Sequence, residues 1–496
     1  MPVNHATKDI FKLLSGSLLA KIVGIAATMI FARILTKQQM AVFPIYLMLA
    51  GICNLILTFG IFSQFIRELP RLVREDNNTA RSLVITAAFF ISLATLVPAI
   101  VAQFFSGAIA EYTFRDRAQS YVIEIIGLAC FAYAISKIVE YVMWGRAQYS
   151  ATSIVQVFES VVRPLCTICL YLLLGYKGIV YGLALAQFLV AALGIYLIRD
   201  ILIGPWPAMY PLGKLIKDSG PYYIGNYLAY FRTDGDQLLV NLILGPARLS
   251  EYFIAKTLYL NASLIYSAID KVAVERLARS TLAKDFGEKA QQLGLQVART
   301  AVPFTLLIIA VTPWAMAILA GPHYGGATWP AQILLAALLV RFVLIPIDRS
   351  VYLIVPGYIR VSYAVVETAT VMISAVLLAP AMGITGAAVA NLLGYCVTGA
   401  FGFVMLRRTS EIDYSLWPAG KMVLAALPGT IVAYFVPSSA ESFGHAVLWS
   451  GIVASIWVVL FLASTFAIDR SEFAALWRLV RQGFDAAFSA VKWRSG

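Results

Sequence analysis

Charge is scarce in this chain of 496 residues: Asp, Glu, Lys and Arg make up 13% of it, against about 25% in ordinary globular domains. So few charges cannot cover a water-facing surface, which excludes most soluble folds. The net charge of +12 is therefore a poor sign of nucleic-acid binding. Histidine is nearly absent, and His5, His323 and His445 lie far apart in a tail or loops, so no metal site is expected. The five cysteines, Cys53, Cys130, Cys166, Cys169 and Cys396, all fall within apolar runs and read as small packing residues rather than a disulfide framework. Also missing are a glycine loop followed by Lys-Ser/Thr and an acid-rich loop suited to a sugar nucleotide and its metal. No small-residue cleavage site follows the first apolar run, so no cleavable signal peptide is expected. The longest loop expected outside the cell spans only 107–119, too little for a catalytic domain. These absences argue against an enzyme and against a resident cofactor, and direct ATP drive would need a partner subunit.

Present instead is hydrophobicity, at 60% of residues. Runs long enough to cross about 30 Å of hydrocarbon lie near 13–35, 40–66, 80–106, 120–144, 153–175, 179–199, 220–245, 252–275, 297–320, 331–355, 360–380, 384–406, 418–436 and 446–468. The fold class expected is an all-α polytopic membrane protein of about fourteen transmembrane helices. Lys and Arg total 23 in the termini and even-numbered loops but 5 in the odd-numbered loops. That asymmetry places both termini in the cytoplasm and supports an even number of spans. Beyond the last span, Phe473, Trp477, Val480, Phe484, Phe488 and Val491 recur at helical spacing. They read as an amphipathic helix on the cytoplasmic leaflet, with a partner-docking helix as the competing reading.

The chain also repeats itself. Leu35–Phe43 resembles Leu244–Tyr252 at an offset of 209, and Gly182–Leu189 resembles Gly386–Leu393 at 204. Glu140 matches Asp348, and Glu159 matches Glu367, both at 208. Six spans repeated as six give two pseudo-symmetric lobes of the same orientation with a seam between them, where such carriers hold substrate. The expected organisation is an N-terminal lobe (1–200), a cytoplasmic linker (201–219), a C-terminal lobe (220–410), an extra helix pair (411–468) and the terminal amphipathic helix (469–496). A second cytoplasmic linker, rich in Lys and Arg, is expected at 276–299.

Ten Lys and Arg lie inside the spans, with Arg81, Arg199, Arg299 and Arg360 at the span edges counted with the loops. Each facing lipid costs roughly 2.5–3.5 kcal/mol, so they must snorkel, pair or face water. Arg33, Lys256, Lys271 and Lys421 sit near helix ends and can snorkel. Glu159–Arg163, Arg232–Asp236 and Lys271–Glu275 are spaced i,i+4, and Lys137–Glu140 i,i+3. These read either as structural ion pairs or as functional groups, and Asp234, on another face beside Arg232, leaves one acid over. Lys21 and Arg341 are central cations without a local partner, and no acid precedes Glu68 in the first two spans. Fixed cations at mid-membrane suit an anionic substrate. Tyr223, Tyr227 and Tyr230 form one stripe beside Arg232, fit for sugar stacking or for helix packing.

The opening LLSGSLLAKIVGIAATMIFARILTKQQMAVFPIYLML resembles the first two helices of the polysaccharide flippases of the multidrug/oligosaccharidyl-lipid/polysaccharide exporter superfamily. LLVNLILGPARLSEYFIAKTL resembles the start of that family's second half, and LAGPHYGGATWPAQILL and MGITGAAVANLLGY its later segments. The resemblance covers about 10–410, and its motifs mark the fold more than the substrate. Ala41 departs from it, since the family has a Gly after the short turn. The two extra spans resemble those of the fourteen-helix members, including the lipid II flippases. What the resemblance implies is alternating access across the bacterial inner membrane, moving an undecaprenyl-diphosphate-linked glycan for O-antigen, capsule or exopolysaccharide synthesis. It makes Lys21 and Arg232, and after them Arg33, Arg67 and Arg341, the phosphate candidates, and Tyr227 and Tyr230 of the stripe are the candidates for sugar contact. It assigns proton or sodium coupling to Asp234, Asp236, Asp348, Glu159 and Glu367. Membrane lipids, a polymerase and a chain-length regulator are the implied partners, and no nucleic acid. Lipid II is the alternative cargo. A multidrug extruder of cations would favour acids in the first two helices, and a membrane glycosyltransferase would need a larger external element.

Overall fold

The computed structural model describes residues 3–57, 61–146, 148–203, 208–278, 283–409, 414–436, 442–478 and 481. Among them are helices and turns but no strand. In order the helices are α1 (Val3–Ile34), α2 (Lys37–Met40), α3 (Val42–Leu57), α4 (Ile61–Glu75), α5 (Asn77–Phe114), α6 (Ser120–Gly145), α7 (Tyr149–Leu174), α8 (Tyr176–Leu197) and α9 (Arg199–Leu202). They continue as α10 (Leu212–Thr233), α11 (Gly235–Leu244), α12 (Pro246–Ala278), α13 (Ala283–Ala320), α14 (Thr328–Ile354), α15 (Gly357–Met382), α16 (Ile384–Thr409), α17 (Trp417–Phe435) and α18 (Phe443–Ile468). Among the described residues, eleven helical segments are long and apolar enough to cross a membrane, and the protein is a multi-pass membrane protein. The other expected spans correspond to α1, to α10 with α11, and to α12. In the last two, charges interrupt the apolar run.

Local chemistry sets the boundaries. Thr36 and Gln39 form a capping box at α2, each side chain accepting from the other's backbone N–H. Ala41 follows with φ −62°, a conformation every residue adopts, so no glycine is needed there. Asp76 caps α5 by accepting from the amides of Asn78 and Thr79. The run 220–245, expected as one helix, is broken at Asp234 (φ −129°, ψ −6°) into α10 and α11. An Asp-Gly step weakens a helix at that point. Within the expected linker 276–299, α13 is helical from Ala283 onward.

Packing divides the chain into Met1–Phe253 and Ile254–Gly496, a division that falls within α12. In the first unit α6 packs on α3, α4, α5 and α8, α1 packs on α7, and α10 lies against α3 and α4. Its apolar core draws on α4, α5 and α6, including Phe65, Leu83 and Val142. In the second unit α14, α15 and α16 pack together, and α17 and α18 pack on α13. Trp314, Met422 and Trp457 are buried there. The segment 470–478 is helical and docks on this unit through buried Leu476 and a Glu472–Arg299 ion pair of 2.6 Å. Of the expected amphipathic stripe, Val480 and everything beyond Arg481 lie outside the described residues.

The duplication is visible in the backbone. Gly175 (φ 61°, ψ −141°) ends α7, and Gly383 (φ 63°, ψ −143°) ends α15. Three residues later, a Cβ on Gly178 would stand 1.9 Å from the Leu170 carbonyl oxygen, and one on Gly386 2.3 Å from that of Leu378. Each pair is 208 apart, like the repeated acids. The structure thus corrects the offset of 204: Gly386 corresponds to Gly178, and the alignment to Gly182 is one helical turn out of register.

Candidate polar sites within each unit

In the first unit, Lys21 is exposed on α1, and among the described residues no carboxylate pairs with it. Arg33 is exposed and donates to the Met29 carbonyl at 3.2 Å. The side chain of Arg67 lies outside the described residues. Lys37 pairs with the buried carboxylate of Glu251, whose other oxygen takes Arg248 at 2.8 Å. No motif links Lys37 and Glu251, because 214 positions separate them.

A polar network ties α3, α6, α7 and α8 together. Arg163 pairs with Glu159 and reaches Gln187 at 3.4 Å. Gln187 also accepts from the buried Tyr46 hydroxyl at 3.2 Å and donates to Ser136 at 2.7 Å. Nearby, Lys137 pairs with Glu140 at 2.6 Å and lies 5.3 Å from the Tyr133 ring centroid. Two cations and two carboxylates balance, so both expected in-helix pairs form, and Gln187 joins one of them to the next helices.

At the break between α10 and α11, Arg232 is half-buried in the last turn of α10, where a helix end favours a cation. The break at Asp234 places Arg232 in the last turn of α10 and Asp236 in the first turn of α11, so the two no longer share one helix. Asp234 accepts from the Gln237 side chain at 3.1 Å and from Thr233 at 3.2 Å. Asp236 is buried and accepts the Tyr252 hydroxyl at 2.6 Å. Tyr227 is 40% exposed and lies between Tyr223 (6.1 Å) and Phe231 (4.9 Å). Tyr230 instead donates to the Met48 carbonyl at 3.0 Å and packs where a side chain on Gly51 would be.

In the second unit Arg341, read from sequence as lacking a local partner, meets aromatic residues of other helices. Its guanidinium lies 4.2 Å from the Tyr266 ring centroid and 5.5 Å from that of Tyr395, and donates to the Tyr259 hydroxyl at 3.4 Å. Cation–π contacts out of water are worth up to about 2 kcal/mol, and no spacing rule within one helix could reveal rings on two others. Asp348 accepts from Tyr363, Glu367 is buried, and Arg349 pairs with Asp270 at 2.5 Å. Asp348 lies in electrostatic range of Glu367, Arg341 and Arg349. The structure therefore gathers Arg341, Asp348 and Glu367. Lys256, expected near a helix end, is buried. Lys421 pairs with Asp469 at 2.8 Å. The side chains of Lys271 and Glu275 lie outside the described residues. Tyr395 stands 208 after Gln187, so the same position of each half anchors a tyrosine: Tyr46 in the first, Tyr259 in the second at 3.2 Å.

The profile of a family described as polysaccharide biosynthesis protein matches residues 30–328. No curated protein sequence matches. Among solved structures, lipid II flippase MurJ in an inward closed conformation matches with a TM-score of 0.76 at 14% identity, over 92% of this chain and 99% of that one. An inward-facing multidrug resistance MATE family transporter of the MOP superfamily matches at 0.61 with 13% identity, over 80% and 97%. A MOP superfamily transporter from Pyrococcus furiosus, described as having a binding pocket of reverse polarity, matches at 0.56 with 13% identity, over 81% and 95%. At such identities the likeness is one of fold.

Proposed function

Because the chain belongs to the polysaccharide biosynthesis protein family, we propose that it flips undecaprenyl-diphosphate-linked oligosaccharide units from the cytoplasmic to the periplasmic leaflet of a bacterial inner membrane. Transport proceeds by alternating access and draws on a proton or sodium gradient, with both termini cytoplasmic. One observation carries the reading beyond the family: Lys21 is exposed on α1, and no described carboxylate neutralises it. A cation facing acyl chains costs roughly 2.5–3.5 kcal/mol, so that position is favourable where it meets water and an anion such as a diphosphate. Arg232 supplies a second cation, with Arg33, Arg67 and Arg341 as further ones, and Tyr227 an exposed ring for a sugar face. Asp234, Asp236, Asp348 and Glu367 are the acids that would take the coupling ion, with Glu159 the weakest of the set because Arg163 already holds it. The fold likeness to a lipid II flippase makes lipid II the second cargo to test.

Proteoliposomes carrying fluorescent lipid-diphosphate oligosaccharide or lipid II decide between these. Lys21→Ala and Arg232→Ala should each abolish flipping at normal abundance, while Arg232→Lys keeps part of it. Full transport with both residues replaced by Ala would remove the cationic-site reading. A rate indifferent to collapse of both gradients would remove the coupling.

A further inference from the structure

Where α5 ends, Arg115 adopts φ 55° and ψ 28°, the single non-glycine with positive φ among the described residues. Glycine is the usual residue in that conformation at a helix C-terminus, and arginine there is strained. What the arginine adds is its side chain. Its guanidinium donates to the carbonyls of Leu242 (3.3 Å) and Ile243 (3.0 Å), at the C-terminal end of α11. In return, the buried Asn241 of α11 donates to the Thr113 carbonyl of α5 at 3.0 Å. Gly245 then turns away with φ 88°, and a Cβ there would meet the Arg115 guanidinium carbon at 3.4 Å. Two helix C-termini, each carrying partial negative charge, thus share one cation and exchange caps. Nothing in sequence spacing points to this, since 127 positions separate Arg115 from Leu242.

α11 is set off from α10 by the break at Asp234, and this exchange ties its far end to α5. It carries Asp236, whose carboxylate holds the Tyr252 hydroxyl. We infer that Arg115 is a positioning residue: it clamps the second half of a broken span and so fixes the carboxylates at the break for transport. The inference rests on the transport reading for its functional consequence, but not for the clamp itself.

The test uses full-length protein in lipid nanodiscs and in proteoliposomes. R115G keeps the left-handed backbone without strain and removes only the guanidinium; R115K keeps the charge without the fork. Hydrogen exchange across 235–245 should quicken ~10-fold or more in R115G, the scale of losing hydrogen bonds from a charged donor. R115K should fall between, with exchange elsewhere unchanged. Flipping of the lipid-diphosphate oligosaccharide should slow at saturation, with the half-saturating concentration unchanged. Wild-type exchange rates at 235–245 in R115G would overturn the inference, as would a uniform rise along the whole chain. Faster exchange in R115G with no flipping by the wild type would sustain the clamp and sink the transport reading instead.

Discussion

Glu159 and Arg163 offer the sharpest separation of a structural pair from a coupling site. Arg163 is held by the Glu159 carboxylate and by Gln187, which is itself fixed by Tyr46 and Ser136. Replacing Arg163 by Leu leaves a carboxylate among apolar helices with one hydrogen-bonding neighbour fewer. Breaking a buried pair from one side costs about 3–5 kcal/mol. Both side chains are 29% exposed, which sets the expectation at the lower end, about 3 kcal/mol. Glu159→Gln together with Arg163→Leu removes both charges and leaves a neutral amide at 159, so the double change should cost about 1 kcal/mol, close to one neutral hydrogen bond. The coupling energy is then about 2 kcal/mol or more, well above the scatter of independent sites. Denaturant unfolding of the purified protein in mixed micelles measures the cycle, and flipping with and without an ion gradient measures the consequence. The double variant should keep its gradient dependence. Additive costs, or a Glu159→Gln protein of full stability that has lost gradient dependence, would refute the argument and return Glu159 to the coupling acids.

Two further expectations follow from the packing and the caps. Gly178→Ala and Gly386→Ala should each destabilise by at least about 1–3 kcal/mol, the usual cost of overpacking, because the added methyl meets a carbonyl oxygen rather than a movable side chain; thermal unfolding beside Gly213→Ala, where nothing lies within 4 Å, checks this, and an unchanged melting temperature in either would contradict the 208 register. Hydrogen bonds from Lys421, and then from Ser471, hold the Asp469 carboxyl below the usual carboxylate range, so its stabilising share is present at neutral pH and is lost only as pH falls below about 4. Limited proteolysis of 470–478 should quicken at that acidity in the wild type, and a Lys421→Met protein with the same acid onset would refute this pairing.

Much of the architecture could be read from sequence because a bilayer demands long apolar runs, and a run has no need of distant partners to be recognised. The ion pairs Glu159–Arg163 and Lys137–Glu140 were equally legible, being one helical turn apart. What escaped depends on contacts across the fold. The tyrosines around Arg341 come from α12 and α16, and Lys37 finds Glu251 more than two hundred positions later. Asp234–Gly235 carried a local signal for a break, but the apolar residues on both sides masked it. The offset of 204 failed for a different reason: small residues recur in these helices, so a slip of one turn still looks alike, and only the left-handed glycines fix the register.

The discontinuity at Asp234 has a mechanical consequence. At 1.5 Å per residue, the ten residues of α11 extend about 15 Å, roughly half the hydrocarbon depth. The Asp234 amide still bonds to Tyr230, and its carbonyl receives Gln237, so the joint is hydrogen-bonded rather than frayed. A jointed rod of this kind concentrates any change of direction at one residue, while the far end of α11 stays held to α5.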